Sequence, residues 1–193
     1  MAKRYGFVID LERCIGCNTC TIACKVENNM ETGSGILVET VGGPHRDTPA
    51  GKFPKLSMYY LPVPCMHCDQ PPCLDVCPVE AIYKRGDGMV LIDIDKCDGC
   101  QACLPACPYD ALSYDHERNI AQKCSLCAHR IDQDLEPFCV RCCETNAIFF
   151  GDLNDPHSKV SQLIAQRNAY ILKSELGTKP AIFYCQLTSH NQT

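Results

Sequence analysis

The sequence predicts an α+β fold in which short helices and two-stranded hairpins build two small modules. Three observations support this prediction. The chain has 193 residues, sixteen of its 18 cysteines fall into four groups of four, and part of the sequence repeats. A chain of this length holds one domain or two small ones. Its 46% hydrophobic content includes the cysteines, so few apolar side chains remain for an ordinary core.

The four cysteine groups have short, regular spacings. The first and third groups are C-x2-C-x2-C-x3-C, the second lengthens the middle gap to four residues, and the fourth lengthens it to eleven. The groups are Cys14, Cys17, Cys20, Cys24; Cys65, Cys68, Cys73, Cys77; Cys97, Cys100, Cys103, Cys107; and Cys124, Cys127, Cys139, Cys143. This spacing is the ligand pattern of bacterial two-cluster iron–sulfur ferredoxins. The groups therefore predict iron–sulfur clusters held by thiolates.

Disulfides and structural zinc are the alternative uses of so many cysteines. A disulfide scaffold is typical of small secreted proteins, but the N-terminal segment shows no secretory signal. Closely spaced C-x2-C pairs are also poorly oriented for disulfide bonds. Structural zinc favours two separated C-x2-C pairs, whereas here three cysteines share one loop and the fourth follows a helical turn later. The spacing favours clusters over both alternatives.

An internal repeat connects the last three groups. Residues 73–82 (CLDVCPVEAI) align with residues 103–112 (CLPACPYDAL), and residues 139–148 (CVRCCETNAI) fit the same frame. The repeat predicts a ligand loop, a short helix that carries the C-x3-C pair, and a strand that begins at Ala-Ile or Ala-Leu. Proline after Cys77 and Cys107 is expected to end the helix.

The predicted strands lie beside the ligand groups. Residues 81–83 and 89–92 form one predicted hairpin, and residues 111–114 and 119–121 form another. Residues 7–9 are predicted to form a strand that leads into the first group. Together with the short helices, these elements predict two bacterial-ferredoxin-like modules.

The order of the groups predicts that one module is inserted in the other, because the first and fourth groups enclose the second and third. We expect an outer module of residues 1–24 and 108–150 and an inner module of residues 65–107, with its hairpins reaching about residue 121. Residues 25–64 are rich in Gly and Pro and are predicted to be a loop-rich surface insertion with little regular structure. This insertion either contacts a partner or is merely tolerated.

Residues 151–193 are predicted to be a C-terminal docking extension without ligands. Asp155 and Pro156 are expected to open a helix with Val160 and neighbouring apolar residues on one face. A strand is predicted at residues 181–184. We expect the extension to wrap the clusters or to dock on another subunit.

Four ligand sets follow from the ferredoxin pattern, in which the fourth cysteine of each run ligates the other cluster of the module. Each set predicts one [4Fe–4S] cluster, giving four clusters in the chain. Set 1 is Cys14, Cys17, Cys20 and Cys143; set 2 is Cys24, Cys124, Cys127 and Cys139; set 3 is Cys65, Cys68, Cys73 and Cys107; set 4 is Cys77, Cys97, Cys100 and Cys103.

The remaining cysteines and histidines are given no role as ligands. Cys142 adjoins Cys143, but the repeat assigns the ligand role to Cys143 and leaves Cys142 as a free thiol. Cys185 stands alone and is interpreted as structural. His67 lies within a ligand loop and His129 follows another, and both are interpreted as surface residues, with a hydrogen bond to the site as the alternative for His67.

Composition and motifs argue against other functions. The net charge of −5 gives no basis for nucleic-acid binding, and no apolar run approaches the length of a membrane span. There is no G-x-G-x-x-G sequence or P-loop for a nucleotide. With no catalytic constellation visible, the sequence predicts a non-catalytic electron relay.

The cysteine groups, their order and the gaps of four and eleven residues resemble the four-cluster iron–sulfur subunit of the dimethyl sulfoxide reductase (molybdopterin oxidoreductase) family. Relatives of that subunit serve polysulfide, thiosulfate, arsenate and tetrathionate reductases. The pyrogallol transhydroxylase small subunit is also similar, including residues 122–129 and 176–180. The resemblance covers nearly the whole chain and says little about substrate.

The resemblance implies an electron-transfer subunit of an anaerobic respiratory complex. Its partner would be a large catalytic subunit with a molybdenum or tungsten bis-pterin cofactor. Electrons would pass from that site through sets 1 and 2, then sets 3 and 4, to a membrane quinone-binding subunit or a soluble carrier. The chain would be cytoplasmic, or periplasmic if exported with a partner that carries a twin-arginine signal. The alternative is a polyferredoxin-type subunit of a hydrogenase or another redox complex.

Overall fold

The computed structural model describes residues 2–187 except Thr32 and Ser34. Met1, Thr32, Ser34 and residues 188–193, which fall within the predicted segments 1–24, 25–64 and 151–193, lie outside the described residues. The elements in chain order are β1 (Tyr5–Asp10), α1 (Thr19–Glu27), β2 (Ile36–Val41), β3 (Ala50–Lys52), β4 (Lys55–Ser57), β5 (Tyr59–Pro64), α2 (Pro72–Asp75), β6 (Ile82–Lys84), β7 (Val90–Ile92), α3 (Cys103–Ala106), β8 (Leu112–Asp115), β9 (Ile120–Lys123), α4 (Ala128–Ile131), α5 (Phe138–Arg141), β10 (Ile148–Asp152), α6 (Lys159–Gln166), a 3₁₀ turn (Ser174–Leu176) and β11 (Ile182–Cys185). The predicted α+β class of short helices and small sheets is confirmed.

The largest sheet has β1 at its centre, between antiparallel β10 and parallel β11. Phe7, Val8 and Ile9 are fully buried, as expected for a short apolar run covered on both faces. Gly6 is required for this packing, because a Cβ atom there would lie 2.1 Å from the carbonyl oxygen of Ala181. The strand predicted at residues 7–9 is confirmed.

The two predicted hairpins are also present. Strands β6 and β7 pair antiparallel, and so do β8 and β9. Strands β6, β8 and β10 each begin one residue after the alanine of the repeat, at Ala81, Ala111 and Ala147. The repeated unit therefore has the same local structure in all three copies.

The helices of the repeat are single turns. Each of α2, α3 and α5 includes the first cysteine of its C-x3-C pair, and the second cysteine follows the helix end by one or two residues. The prolines after Cys77 and Cys107 cannot continue a helix, which explains the early ends of α2 and α3. No proline follows Cys24, and α1 continues through this cysteine to Glu27.

The prediction that residues 25–64 have little regular structure is wrong. Helix α1 extends to Glu27, β2 pairs with β5 over six residue pairs, and β3 pairs with β4. Strand β5 pairs on one side only, with β2. Pro62 and Pro64 are compatible with this strand because their missing N–H groups fall on its other side, where no strand needs a hydrogen-bond donor. The region is a folded insertion that carries two hairpins.

The C-terminal segment belongs to the central part of the fold. Helix α6 begins at Lys159, later than the predicted start at Asp155, because Ser158 accepts a hydrogen bond from the backbone N–H of Ser161 and caps the helix. Val160 is fully buried. The predicted strand is present as β11, and its pairing with β1 makes the extension part of the main sheet.

Within the described part of the chain, no helix is both long enough and apolar enough to cross a membrane.

Candidate metal centres

The cysteine groups meet where pairs of helices pack together. Helix α1 packs against α5, which brings the first group to the last, and α2 packs against α3, which brings the second group to the third. None of the eighteen cysteines forms a disulfide bond.

Set 1 lies at the start of α1. The pKa of Cys20 is raised to about 12, first by burial and then by neighbouring thiols. These neighbours are Cys14, Cys143 and Cys17. Cys14 is likewise affected by Cys143 and Cys17, so the structure brings the four predicted members together.

Set 2 is the most deeply buried. Burial raises the pKa of Cys124 well above its usual range, and the thiols of Cys24 and Cys139 raise it further. The pKa of Cys24 is raised to about 11 by burial, with a smaller contribution from Cys127. Three of these four side chains come from the last group and one from the first.

Sets 3 and 4 show the same exchange within the inner module. The pKa of Cys73 is raised to about 12 by burial and then by thiols of its own set, which are Cys65, Cys107 and Cys68. The pKa of Cys103 is raised to about 11 by burial and then by thiols of set 4, which are Cys97, Cys100 and Cys77. In both sets the fourth thiol comes from the other group of the module.

The sets adjoin one another in numerical order. Cys20 of set 1 raises the pKa of Cys139 in set 2, behind burial and the thiols of set 2 itself. Cys65 of set 3 similarly affects Cys124 of set 2. Sets 3 and 4 share an apolar cluster that contains Cys73 and Cys103.

The solvent-exposed cysteines belong to the first and last sets of this order, sets 1 and 4. Among the eighteen cysteines, Cys17 in set 1 and Cys100 in set 4 are exposed, and the others are buried or half-buried. The inner sets are therefore shielded while each terminal set has one thiol at the surface.

The fourth cysteine of each group accepts a backbone hydrogen bond. In three groups the donor is the alanine four residues later in the repeat. These pairs are Ala81 with Cys77 at 3.3 Å, Ala147 with Cys143 at 3.2 Å, and Ala111 with Cys107. Such a bond favours the thiolate over the thiol.

In the first group the donor to Cys24 is the backbone N–H of Gly35. The residue four positions after Cys24 does not donate to its sulfur through the backbone, because α1 continues past Cys24. A Cβ atom on Gly35 would lie 2.7 Å from the Cys24 sulfur and 2.9 Å from the Cα of Cys124. Gly35 was not predicted as part of the site, since nothing in the sequence around Gly35 shows which cysteine it meets.

Asn28 contacts two thiols of set 2. Its side-chain amide donates to the Cys24 sulfur at 3.6 Å and to the Cys127 sulfur at 4.0 Å. Ser125 holds the amide by donating its hydroxyl to the Asn28 oxygen at 3.2 Å. The spacing of four residues from Cys24 on one helix face is a signal that could have identified Asn28 from sequence.

Thr178 provides a side-chain hydrogen bond to set 3 from the C-terminal segment. The Thr178 hydroxyl forms a hydrogen bond with the Cys68 thiol. It also lies 2.6 Å from the hydroxyl of Tyr109. The Tyr109 hydroxyl is also 3.3 Å from the carbonyl oxygen of Leu172. The extension thus contributes directly to the surroundings of a predicted ligand.

The interpretation of His67 as a surface residue is wrong. His67 is 1% exposed, and its Nδ1 accepts the backbone N–H of Val90 at 3.0 Å. Burial, followed by the charge of Lys123, holds the pKa of His67 well below its usual range, so the ring is neutral and carries its proton on Nε2. The Cys124 backbone raises the pKa slightly, but Nε2 makes no hydrogen bond within the described residues.

The other unassigned residues behave as expected. His129 is at the surface, where its Nε2 lies 2.8 Å from a carboxylate oxygen of Glu27. Cys185 is fully buried at the end of β11, consistent with a structural role. Cys142 is half-buried at the end of α5, while Cys143 accepts the hydrogen bond of the repeat.

The donor chemistry fits iron–sulfur clusters. Thiolates are the usual ligands of [4Fe–4S] clusters, each iron taking one sulfur, and the apolar surroundings with N–H donors are the environment these clusters require. The buried N–H on His67 Nε2, which has no acceptor among the described residues, suits a site whose bound group contains sulfur acceptors. Within the described residues, no three Cys, His, Asp or Glu side chains converge on a single metal ion.

Comparison with known proteins gives two family matches. A family described as "4Fe-4S dicluster domain" matches residues 56–153, and one described as "4Fe-4S binding domain" matches residues 5–26. The fold and the site therefore define a [4Fe–4S] iron–sulfur protein whose role is electron transfer.

Curated relatives specify the family further. The chain is 43% identical to a putative iron–sulfur B subunit of dimethyl sulfoxide reductase from Halobacterium salinarum, over 93% of this chain and 78% of the relative. It is 43% identical to the B subunit of tetrathionate reductase from Salmonella typhimurium (95% and 73%). It is 40% identical to the B polypeptide of polysulfide reductase from Wolinella succinogenes (95% and 94%). The protein belongs to the family of iron–sulfur B subunits of dimethyl sulfoxide, polysulfide, tetrathionate and arsenate reductases.

Proposed function

We propose that this chain relays single electrons through four [4Fe–4S] clusters between a molybdenum or tungsten bis-pterin catalytic subunit and a second partner. The second partner is a quinone-linked membrane subunit or a soluble carrier. The observation that supports the proposal is that thiols from different cysteine groups affect one another's pKa values and so lie close together.

The proposed path runs from set 1 to set 4. Electron transfer needs successive centres that adjoin and terminal centres that a partner can approach. The effects of Cys20 on the pKa of Cys139 and of Cys65 on the pKa of Cys124 support the first requirement. The exposure of Cys17 and Cys100 supports the second. We assign the set 1 end to the catalytic subunit and the set 4 end to the second partner, as the family resemblance of the cysteine pattern implies.

The chain itself is proposed to be non-catalytic. The cluster ligands are backed by apolar residues and hydrogen-bond donors, and this arrangement suits electron passage rather than substrate turnover. The substrate of the complex would bind to the large subunit.

We also propose that the two modules are nested. The pairing of β1 with β10 and the packing of α1 on α5 support an outer module of residues 1–24 and 108–150. The packing of α2 on α3 supports an inner module of residues 65–107. The insertion 25–64 and the extension 151–193 complete the chain.

Anaerobic purification of the full chain tests the cluster content. The expected preparation is brown, with four irons and four sulfides for each set of four cysteines. EPR spectra of the reduced protein should show interacting [4Fe–4S] clusters. A colourless preparation that binds zinc and no sulfide would disprove the proposal.

Isolation of the native complex tests the partner. Mass spectrometry should find a large subunit, and metal analysis of the complex should find molybdenum or tungsten. A complex with a hydrogenase large subunit instead would favour the polyferredoxin-type alternative, and a stable monomer would contradict both assignments.

A further inference from the structure

Lys123 is a buried cation at the junction between sets 2 and 3. It is the last residue of β9, immediately precedes Cys124, and is 8% exposed. Its ammonium donates to the carbonyl oxygen of Val90 and, at 3.2 Å, to that of Cys124. A long cationic side chain held inside the protein by two carbonyl groups needs an explanation, because lysine is almost never fully buried unless it is paired.

The ammonium of Lys123 has no carboxylate partner among the residues that the structure describes. In that part of the chain Lys123 forms no ion pair with Asp or Glu, and both of its hydrogen bonds are to neutral carbonyls. Burying an ion without a counterion costs several kcal/mol even after relaxation. The negative charge that offsets Lys123 must therefore come from another group nearby.

The neighbouring groups that can carry negative charge are cluster ligands. Lys123 lies near Cys73 of set 3, because Val90, whose carbonyl binds the ammonium, packs in the same apolar cluster as Cys73. The charge of Lys123 also lowers the pKa of Cys73, against the larger effect of burial. It is also joined through the backbone to Cys124 of set 2. A [4Fe–4S] cluster with four thiolates is an anion and gains one further negative charge when it accepts an electron.

A buried histidine lies at the same junction. His67 accepts the N–H of Val90, the same residue whose carbonyl binds Lys123, so the two side chains hold opposite ends of one residue of β7. The Lys123 ammonium therefore lies between Val90, which packs with set 3, and Cys124 of set 2. Its field is only partly screened, since the side chain is buried.

We infer that Lys123 is the built-in countercharge of the clusters held by sets 2 and 3, and that it raises their reduction potentials relative to an uncharged side chain. This inference rests on the proposed function, since it requires clusters at both sets. The positive charge of Lys123 would stabilise an electron on the clusters of sets 2 and 3, where electrons pass between the outer and inner ligand sets.

The test is potentiometric EPR titration of the full chain, purified anaerobically with its clusters. Lys123→Met removes the charge and keeps the length of the side chain, and Lys123→Gln removes the charge but keeps a hydrogen-bond donor. Lys123→Arg keeps the charge. Lys96→Met is the matched control, because Lys96 lies beside Cys97 of set 4 but its side chain is 63% exposed.

In the two neutral variants, the ratio of oxidised to reduced cluster at a fixed solution potential should rise about tenfold for at least one cluster. This is a fall in potential of about 59 mV for a one-electron couple. Lys123→Arg should keep the wild-type potentials, and Lys96→Met should change them much less because water screens its charge. Unchanged potentials in both neutral variants, or an equal fall in Lys123→Arg, would overturn the inference.

Failure of assembly is also informative. If the neutral variants lose iron while Lys123→Arg keeps all its clusters, the charge is needed for assembly and the inference stands. If Lys123→Arg loses iron equally, the role of Lys123 is steric and the inference is wrong. Absence of clusters from the wild-type chain would instead disprove the proposed function itself.

Discussion

Replacing Gly35 by alanine should destabilise the cluster held by set 2. The added Cβ would lie 2.7 Å from the Cys24 sulfur, at least 0.7 Å inside ordinary van der Waals contact, which begins near 3.4 Å. The Cα and backbone nitrogen of Cys124 would be only 2.9 and 3.0 Å away. Neither neighbour can move freely, because one is a proposed iron ligand and the other is backbone.

The cost has two parts. Overpacking of a filled site typically costs about 1–3 kcal/mol. If the backbone turns to relieve the clash, the N–H of Gly35 also leaves Cys24, and a hydrogen bond to a charged group contributes about 1.5–3 kcal/mol. We therefore expect faster release of iron from one cluster of four.

The assay is the rate of iron release from the full chain to a chelator, with EPR identifying the cluster that is lost. Gly86→Ala is the matched control, because a Cβ at Gly86 would meet nothing within 4 Å. If Gly35→Ala and Gly86→Ala both release iron at the wild-type rate, the close approach of Gly35 to set 2 does not matter, and the reasoning fails.

Three further predictions follow from the contacts of the thiols. Asn28→Val should lower the reduction potential of the set 2 cluster in EPR titrations, because two sulfurs lose an amide donor; an unchanged potential would contradict this. Cys142→Ser should keep the full iron content while Cys143→Ser loses one cluster; the reverse result would exchange their roles. Cluster assembly on the iron-free chain should become more favourable as pH rises from 7 to 9, because the raised pKa values of thiols such as Cys20 and Cys73, each about 12, keep them protonated until iron displaces the protons. Assembly measured at equilibrium in a pH series should show this slope, and a flat series would refute it.

The parts of the fold that could be predicted are those encoded locally. Each of the two hairpins has turn-forming residues between its strands. Each strand of the repeat begins one residue after an alanine whose N–H donates to a cysteine. Strands β2 and β5 were missed because their pairing joins residues far apart in sequence. Pro62 and Pro64 also disfavour a strand in the sequence, because proline has no N–H to donate. They are tolerated because β5 pairs with another strand on one side only.

The proposed grouping of thiols rests on ligand spacing, which reflects the geometry of the cluster that the ligands hold. The residues around the thiols could not be predicted from such spacing. Gly35 and Lys123 act through contacts that only the folded chain creates, and neither has a local sequence signal. His67 was misjudged for the same reason, since its burial depends on Val90 in a strand 23 residues later.

The pairing of α1 with α5 and of β1 with β10 bears on how the protein is made. With the proposed ligand sets, Cys14 is synthesised long before Cys143, while the ligands of sets 3 and 4 all lie between Cys65 and Cys107. The inner ligands therefore leave the ribosome as a complete group before the outer group is complete. Clusters can be loaded from the middle of the chain outwards, and the central sheet closes only when β11, near the C-terminus, joins β1.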